Sequence, residues 1–214
     1  MNKEKIDTTK FYNDLSQNWD NTRPKYTQEI FRKIASRLDK NKSCSILDFG
    51  CGTGLFCKYL SENLPKAKID GIDISNQMIE KARINCPNSN FYTGDIFSVT
   101  LPQYDVIVSK DVFNHIDDIP KTLKRLDSLL RVNGMLILAN REREQGVKNN
   151  IVTTFESLEY KTFVEQYSFM PTREEIELFL KTLPNFSEHH IKTIRERLEA
   201  SGEYYVVYAT KKIR

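Results

Sequence analysis

Residues 45–54 read SILDFGCGTG and hold three of the eight glycines of this 214-residue chain. Glycine loses more backbone freedom on folding than any other residue, so a cluster of glycines indicates a tight turn or a close approach to a ligand. An apolar run precedes the glycines, and residues 55–64 follow with a helical pattern. The stretch therefore predicts a short buried strand, a glycine-rich turn and a helix, in that order.

The rest of the chain repeats this alternation. Helices are predicted at 27–39, after Ser75, around 117–120 and after Thr172, where residue types that cap helix N-termini occur. Residues 143–170 are aromatic-rich and are predicted to be irregular. Strands that alternate with helices imply a parallel sheet covered on both faces, and the last two strand patterns imply a terminal hairpin. Besides the first strand, strand patterns occur at 68–74, 90–92, 104–109, 135–139, 190–194 and 204–210.

Composition and charge are those of an ordinary soluble domain. Hydrophobic residues make up 39% and charged residues 29% of the chain, and the formal net charge of +3 is spread without the basic stripe of a nucleic-acid binder. The start, MNKEKIDTTK, is unlike a secretory signal, and no apolar run approaches the roughly 20 residues of a membrane span. We therefore expect a cytoplasmic monomer or homodimer without nucleic-acid or membrane partners. The cysteines form no C-x-x-C pair and are expected to be reduced thiols: Cys44, Cys51, Cys57 and Cys86.

The glycine pattern separates the candidate ligands. A dinucleotide site needs G-x-G-x-x-G, but Leu55 occupies the third glycine position, and no Gly-Lys-Ser/Thr follows as in a phosphate-binding loop. Asp48, before the first glycine, would suit a ligand ammonium group better than a pyrophosphate. Asp73 follows the second strand, about 20 residues on, where a carboxylate binds ribose hydroxyls. Asp95 follows the third strand and can accept a hydrogen bond from an adenine amino group. The inferred ligand thus carries an ammonium group, a ribose and an adenine, as S-adenosylmethionine does.

These stretches resemble the class I S-adenosylmethionine-dependent methyltransferases, of the small-molecule type. ILDFGCGTG is similar to the family's first motif, IDGIDIS to its ribose motif, FYTGDIF to its adenine motif and YDVIVSKDVFNHI to its fourth-strand motif. The resemblance implies an α/β, Rossmann-like seven-stranded sheet, mostly parallel with an antiparallel last strand, and helices on both faces. It also implies S-adenosylmethionine as cofactor, S-adenosylhomocysteine as product and no metal. The core residues expected to bind the cofactor are Asp48, Gly50, Cys51, Gly52, Gly54, Asp73, Ile74, Met78, Asp95, Ile96 and Ser109.

The N-terminal stretch FYNDLSQNWDNTRPKY resembles a segment that folds over the cofactor in many small-molecule methyltransferases. Trp19 stands where a tyrosine is usual, and Arg23 matches the segment and would pair with the cofactor's carboxylate. Tyr12 and Tyr26 are candidate acceptor-binding residues. The alternative is that the aromatic residues only pack a surface helix.

Methyl transfer is an in-line displacement at carbon, so the protein mainly supplies alignment, and a base is needed only for an acceptor that must lose a proton. His115 follows the fourth strand and is the candidate base, with packing or hydrogen-bonding support as the alternative. Asn114 either orients the acceptor or caps the next helix. Ser109 is expected to contact the cofactor's methionine end through its backbone. His189 and His190 lack a third ligand and do not predict a metal site.

The resemblance therefore predicts transfer of a methyl group from S-adenosylmethionine to nitrogen or oxygen of a small-molecule acceptor. The alternatives are a macromolecule (protein or RNA) methyltransferase and a non-catalytic partner protein that only binds the cofactor. The chain is expected to form a single domain, 1–214. Its expected parts are a helical cap at 1–40, a cofactor-binding core at 41–140, a substrate-side insert at 141–185 and a terminal β-hairpin at 186–214.

Overall fold

The computed structural model describes residues 7–22, 26–141, 151–157, 160–168, 171–186, 191–198 and 202–212. Within these ranges the α-helices are α1 (Thr8–Leu15), α2 (Tyr26–Ala35), α3 (Leu55–Asn63), α4 (Asn76–Asn85), α5 (Ile119–Leu129) and α6 (Arg173–Lys181). The strands are β1 (Cys44–Phe49), β2 (Ala67–Asp73), β3 (Asn90–Thr93), β4 (Tyr104–Lys110), β5 (Leu130–Arg141), β6 (Ile151–Ser157), β7 (Tyr160–Ser168), β8 (Ile191–Leu198) and β9 (Gly202–Thr210). Short 3₁₀ helices lie at Asp20–Thr22 and Phe113–His115.

Seven strands form one sheet, in the order β3-β2-β1-β4-β5-β9-β8. Pairing is parallel from β3 through β5, whereas β9 runs antiparallel to both of its neighbours. The predicted seven-stranded sheet with an antiparallel last strand is confirmed. Chain order reverses between β1 and β4, and open α/β sheets bind ligands at the carboxyl ends of the strands beside such a switch point.

Helices cover both faces of this sheet, as predicted. Strand β1 shows the reason, because Ile46 and Leu47 point to opposite faces and both are fully buried. Ile46 belongs to a core cluster that includes Leu60 of α3, and Leu47 belongs to a second cluster that includes Leu123 of α5. The glycine-rich turn therefore follows a strand that is packed on both faces. This packing fixes the position of the turn.

Capping residues fix where the helices around the switch point begin. Ser75 Oγ accepts the Met78 N–H at 3.1 Å, and Asp118 Oδ1 accepts the Lys121 N–H at 2.9 Å. Each cap satisfies a backbone N–H that the helix itself leaves unpaired. The predicted capping box before α6 is also present. The loops after β2 and β4 are thereby held at defined lengths.

A second, two-stranded sheet corrects the sequence prediction. Strands β6 and β7 pair antiparallel, so the irregular structure expected at 143–170 is wrong for these residues. The register shifts between Phe155 and Ser157. A bulge of this kind interrupts the alternation of side chains along a strand, which is the signal by which strands are recognised in a sequence.

No helix within the described ranges is long and apolar enough to cross a bilayer.

Candidate functional site

The glycine-rich turn joins β1 to α3 at the switch point of the sheet. Gly50, Gly52 and Gly54 have positive φ values of 76°, 53° and 76°, a conformation that costs residues with a side chain free energy. A Cβ atom at Gly50 would lie 2.2 Å from Val112 Cγ2, and one at Gly54 would lie 2.9 Å from Ala82 Cβ. A Cβ at Gly52 would meet no atom closer than 3.6 Å. Packing therefore requires glycine at positions 50 and 54, whereas a Cβ at position 52 would make only an ordinary contact with Trp19 Nε1.

Asp73, at the end of β2, is hydrogen-bonded to this turn. Its Oδ2 accepts the Gly52 N–H at 2.8 Å, and its Oδ1 accepts the Ser75 N–H at 2.9 Å. Burial raises the pKa of Asp73, and the hydrogen bonds from Ser75 and Gly52 oppose that rise. The structure thus brings the predicted ribose carboxylate against the predicted glycine turn and orients it with two backbone amides.

The residues predicted to lie near adenine follow β2 and β3. Ile74 is 43% exposed and Asp95 is also exposed, whereas Ile96 is buried. Met78, a predicted cofactor-binding residue of α4, is buried as well. Asp95 Oδ1 accepts the Phe97 N–H at 2.9 Å, which fixes the turn after β3. Phe97 is 42% exposed and was not among the predicted site residues, although it ends the FYTGDIF stretch that supplied the others. Exposed apolar side chains beside a carboxylate suit a flat ring that carries an amino group.

Asp48 lies beneath the turn rather than on its surface. The residue is 2% exposed, and its Oδ2 accepts a hydrogen bond from the Cys57 thiol at 3.4 Å. Burial disfavours the charged form and raises the pKa of Asp48 to about 7. Cys51 is buried as well, and burial raises the pKa of its thiol to about 11. The predicted ammonium contact of Asp48 stays a prediction, because a thiol is the partner that the structure shows. All four cysteines are free thiols, as expected.

The 3₁₀ helix after α1 docks onto the glycine-rich turn. The Thr53 hydroxyl donates to Asp20 Oδ1 at 2.5 Å. Asn85 Nδ2 donates to Asp20 Oδ2 at 3.2 Å and to Thr53 O at 2.9 Å. Trp19 Nε1 lies 3.6 Å from the Cβ position of residue 52. Asp20 was not among the predicted site residues, because its partners lie 33 and 65 positions away and leave no local signal.

His115 meets the N-terminal segment beyond the end of β4. Its Nε2 lies 2.7 Å from the Tyr12 hydroxyl and 3.1 Å from Asn114 Nδ2. An amide N–H can only donate, so Nε2 is an acceptor and the ring proton is on Nδ1. Burial lowers the pKa of His115 to about 4, and the nearby charge of Asp111 opposes that change. The structure therefore brings together three predicted site residues around a neutral imidazole. The alternative that Asn114 caps the next helix is wrong, because the cap of α5 is Asp118.

The remaining predicted residues are placed only in part. Ser109 ends up 2% exposed near the end of β4, and its Oγ has no hydrogen-bond partner in the part of the chain that the structure describes. Arg23, His189, His190 and the side chain of Tyr26 lie outside the described residues. Across the described ranges, no three His, Cys, Asp or Glu side chains are grouped as they would be around a metal ion.

Comparison of the sequence with known families and proteins gives one consistent result. A profile of the methyltransferase domain family matches residues 40–201. The malonyl-[acyl-carrier protein] O-methyltransferase of Bacillus anthracis is 34% identical over 127 residues, which are 58% of this chain and 47% of that protein. The enzyme of the same name from Halalkalibacterium halodurans is 38% identical over 128 residues, which are 51% of this chain and 47% of that protein. The chain thus spans about half the length of the curated relatives it matches.

Solved structures share the fold over nearly the whole chain. A complex of DhpI with SAH superposes with a TM-score of 0.71 at 17% identity and covers 96% of both chains. The plantazolicin methyltransferase BpumL, bound to SAH and a desmethyl analogue, gives a TM-score of 0.70 at 21% identity and covers 94% of this chain and 90% of that one. The N-methyltransferase NodS of Bradyrhizobium japonicum gives 0.69 at 13% identity and covers 96% of this chain and 99% of that one. At these identities the likeness shows the fold.

Proposed function

This chain belongs to the methyltransferase domain family, and from that premise we propose that it transfers a methyl group from S-adenosylmethionine to nitrogen or oxygen of a small molecule. The contact between Gly52 and Asp73 is the observation that supports the proposal most strongly. A backbone turn that carries no side chain at position 52 is joined there to a half-buried carboxylate at the switch point of the sheet. Such a turn lets a ligand lie directly on the backbone, and the carboxylate accepts hydrogen bonds from ribose hydroxyls.

The described residues fit the ribose and adenine parts of this cofactor. Position 52 has no side chain to fill the space above the turn, and Asp73 stands beside it for the ribose. Asp95 and Ile74 offer an exposed carboxylate and an exposed apolar surface for adenine. When bound, the cofactor supplies a methyl group on a positively charged sulfur that leaves as a neutral thioether. The residues of this chain bind it, align it and, through Trp19, cover one side of the turn.

On the acceptor side, we propose His115 as the base for an acceptor with a hydroxyl group. The neutral imidazole presents its Nε2 lone pair, which Tyr12 and Asn114 occupy in this structure. A hydroxyl acceptor would have to replace one of these donors in order to lose its proton to Nε2. A carboxylate or a neutral amine needs no base at the moment of attack. A His115→Ala variant with unchanged turnover would exclude an essential base and leave His115 as support for Tyr12.

The relatives support the reaction type rather than a particular acceptor. The curated relatives are named as O-methyltransferases of malonyl-[acyl-carrier protein], and one structural neighbour is named as an N-methyltransferase. We therefore propose transfer to oxygen or nitrogen of the acceptor.

Incubation with methyl-labelled S-adenosylmethionine tests the proposal. The protein is mixed with a metabolite extract in one arm and with a panel of RNA, DNA and proteins in the other. We expect label in a small molecule in the first arm, and far less of it when the Gly52→Ala variant replaces the wild type at a cofactor concentration near the wild-type Kd. Label found only in macromolecules would contradict a small-molecule acceptor, and tight cofactor binding without transfer to either arm would indicate a non-catalytic binding protein.

A further inference from the structure

Lys110 and Asp111 lie at the carboxyl end of β4, between β1 and β5, and the charge of Lys110 acts on the predicted cofactor carboxylate Asp48 by lowering its pKa. The predicted cofactor carboxylates lie at the ends of β1, β2 and β3. The Asp111 N–H donates to Ala139 O of β5 at 2.9 Å, and the Tyr204 hydroxyl of β9 donates to Asp111 Oδ2 at 2.7 Å. The charged cluster, Lys110–Asp111–Tyr204, therefore extends across β4, β5 and β9.

Fold stability alone does not account for this cluster. Lys110 Nζ lies 2.5 Å from Asp111 Oδ2, and the two side chains are only 10% and 23% exposed. Asp111 has a φ of 57°, a left-handed conformation that costs a residue with a side chain about 1 kcal/mol. A buried ion pair often contributes no more to the stability of a protein than apolar side chains of similar volume would. Strained backbone positions concentrate at functional sites.

The hydrogen bonds of the cluster leave donors on Lys110. Asp111 Oδ2 receives both Lys110 Nζ and the Tyr204 hydroxyl. An ammonium group carries three N–H donors, and within the described residues Asp111 is the one hydrogen-bond partner of Lys110 Nζ. The ring of Tyr204, whose centroid is 5.9 Å from Nζ, flanks the ammonium group. An anionic oxygen is the partner that these remaining donors suit.

We infer that Lys110 binds a carboxylate of the methyl acceptor, with Asp111 and Tyr204 as positioning residues, so that the acceptor is an organic acid. The inference rests on the proposed function, because it places the acceptor beyond the cofactor, on the β4–β5–β9 side. A carboxylate that itself receives the methyl group has no proton to lose and would not use His115, whereas a hydroxyl group elsewhere on the acid would.

Calorimetric titration in two stages separates this inference from the proposed function. S-adenosylhomocysteine is titrated first, and failure to bind it would overturn the proposed function and the inference together. The saturated complex is then titrated with malonate and with malonamide, which has a similar shape and no charge. We expect malonate to bind at least tenfold more tightly than malonamide. Equal binding of the two probes would overturn the acid acceptor while the proposed function stands.

Variants then assign the carboxylate contact to Lys110. Lys110→Met should weaken malonate binding at least tenfold, whereas Lys110→Arg, which keeps the charge, should stay within about threefold of wild type. Tyr204→Phe removes one donor to Asp111 and should have an intermediate effect. Lys124→Met, on the exposed side of α5, removes the same charge elsewhere and controls for net charge. If Lys110→Met weakens S-adenosylhomocysteine as much as malonate, Lys110 serves the cofactor instead and the inference is wrong.

Discussion

The carboxyl edge of the sheet holds the predicted ribose carboxylate and the predicted acceptor residues in two different ways. On the β1–β2–β3 side, backbone amides of Gly52 and Ser75 hold one carboxylate, Asp73, from 21 and 2 positions away. On the β4–β5–β9 side, side chains from distant segments meet, such as Tyr12 with His115 across 103 positions. A site made of backbone suits a ligand that does not change. A site made of side chains can be altered for a new ligand without rebuilding the turn.

Each side also holds a titratable group whose pKa is shifted by removal from water, and the two groups respond to pH in opposite directions. Asp48 lies under the glycine turn, and burial raises its pKa to about 7. His115 lies on the other side, and burial lowers its pKa to about 4. Since each folded pKa differs from that of the unfolded chain, each group makes stability depend on pH. Removing one group at a time tests whether the two sides differ as described.

The largest expected effect is that of Asp48→Asn on stability. An unfolded aspartate ionises near pH 3.8, so the folded protein holds one more proton than the unfolded chain between about pH 4 and pH 7. Stability from this group therefore falls as the pH rises through that window, by up to about 4 kcal/mol. Asp48→Asn should remove the fall and raise the free energy of unfolding at pH 8. Urea unfolding at several pH values measures it, and a variant that keeps the wild-type slope would contradict the buried-carboxyl interpretation.

His115→Gln should show the opposite slope, with a smaller size. An unfolded histidine takes up a proton near pH 6.5, whereas His115 stays neutral in the fold until about pH 4. Stability from this group is present above pH 6.5 and falls as the pH drops toward 4, by up to about 3 kcal/mol. The glutamine variant should lose that fall. The same urea series gives the answer, and an unchanged profile would mean that His115 is as accessible to water in the fold as in the unfolded chain.

Two glycine substitutions separate ligand binding from packing. Gly52→Ala should weaken S-adenosylhomocysteine binding roughly 100-fold, about 2.7 kcal/mol, because its methyl group fills space that the ligand needs. Its stability loss should be near the ~1 kcal/mol of a positive φ. Gly54→Ala should cost more stability, since its Cβ would lie 3.0 Å from the Cα of Ala82. Calorimetry and thermal unfolding give both quantities. If the Gly52→Ala variant bound S-adenosylhomocysteine with wild-type affinity, the glycine-rich turn would not be the cofactor-binding site.

The smallest expected effect is that of Asp20→Ala. Asp20 holds the N-terminal segment to the turn through Thr53 and Asn85. We expect cofactor binding to weaken about fivefold, which corresponds to roughly 1 kcal/mol for such hydrogen bonds. Asp14→Ala is the matched control, because Asp14 is exposed and pairs only with Lys10 of the same helix among the described contacts. Equal effects of the two variants would mean that Asp20 does not tie the segment to the site.

Local and long-range contacts differ in how far the sequence predicted them. The turn, the parallel pairing of most strands and the position of Asp73 were predicted from local patterns. Glycine spacing and strand ends lie within a few residues of the groups whose positions they determine. The partners of Asp20 and Asp111 did not follow, since contacts across 33 to 93 positions depend on tertiary packing. The burial of Asp48 was also missed. Asp48 shares one face of β1 with the buried Ile46, but its partner, the Cys57 thiol, comes from α3 and is seen only in the structure. Strands β6 and β7 escaped detection because their alternation is broken by a bulge.

The most direct measurement is the thermal shift of the wild-type protein with S-adenosylhomocysteine, with NAD as the comparison ligand. At a concentration 100 times its Kd, a ligand that binds only the folded state adds about 2.7 kcal/mol, which is roughly 5–10 °C for a chain of this size. We predict a shift of that size with S-adenosylhomocysteine and none with NAD. A shift with NAD alone, or with neither ligand, would contradict the assignment of the glycine-rich turn and Asp73 to a sulfonium nucleoside.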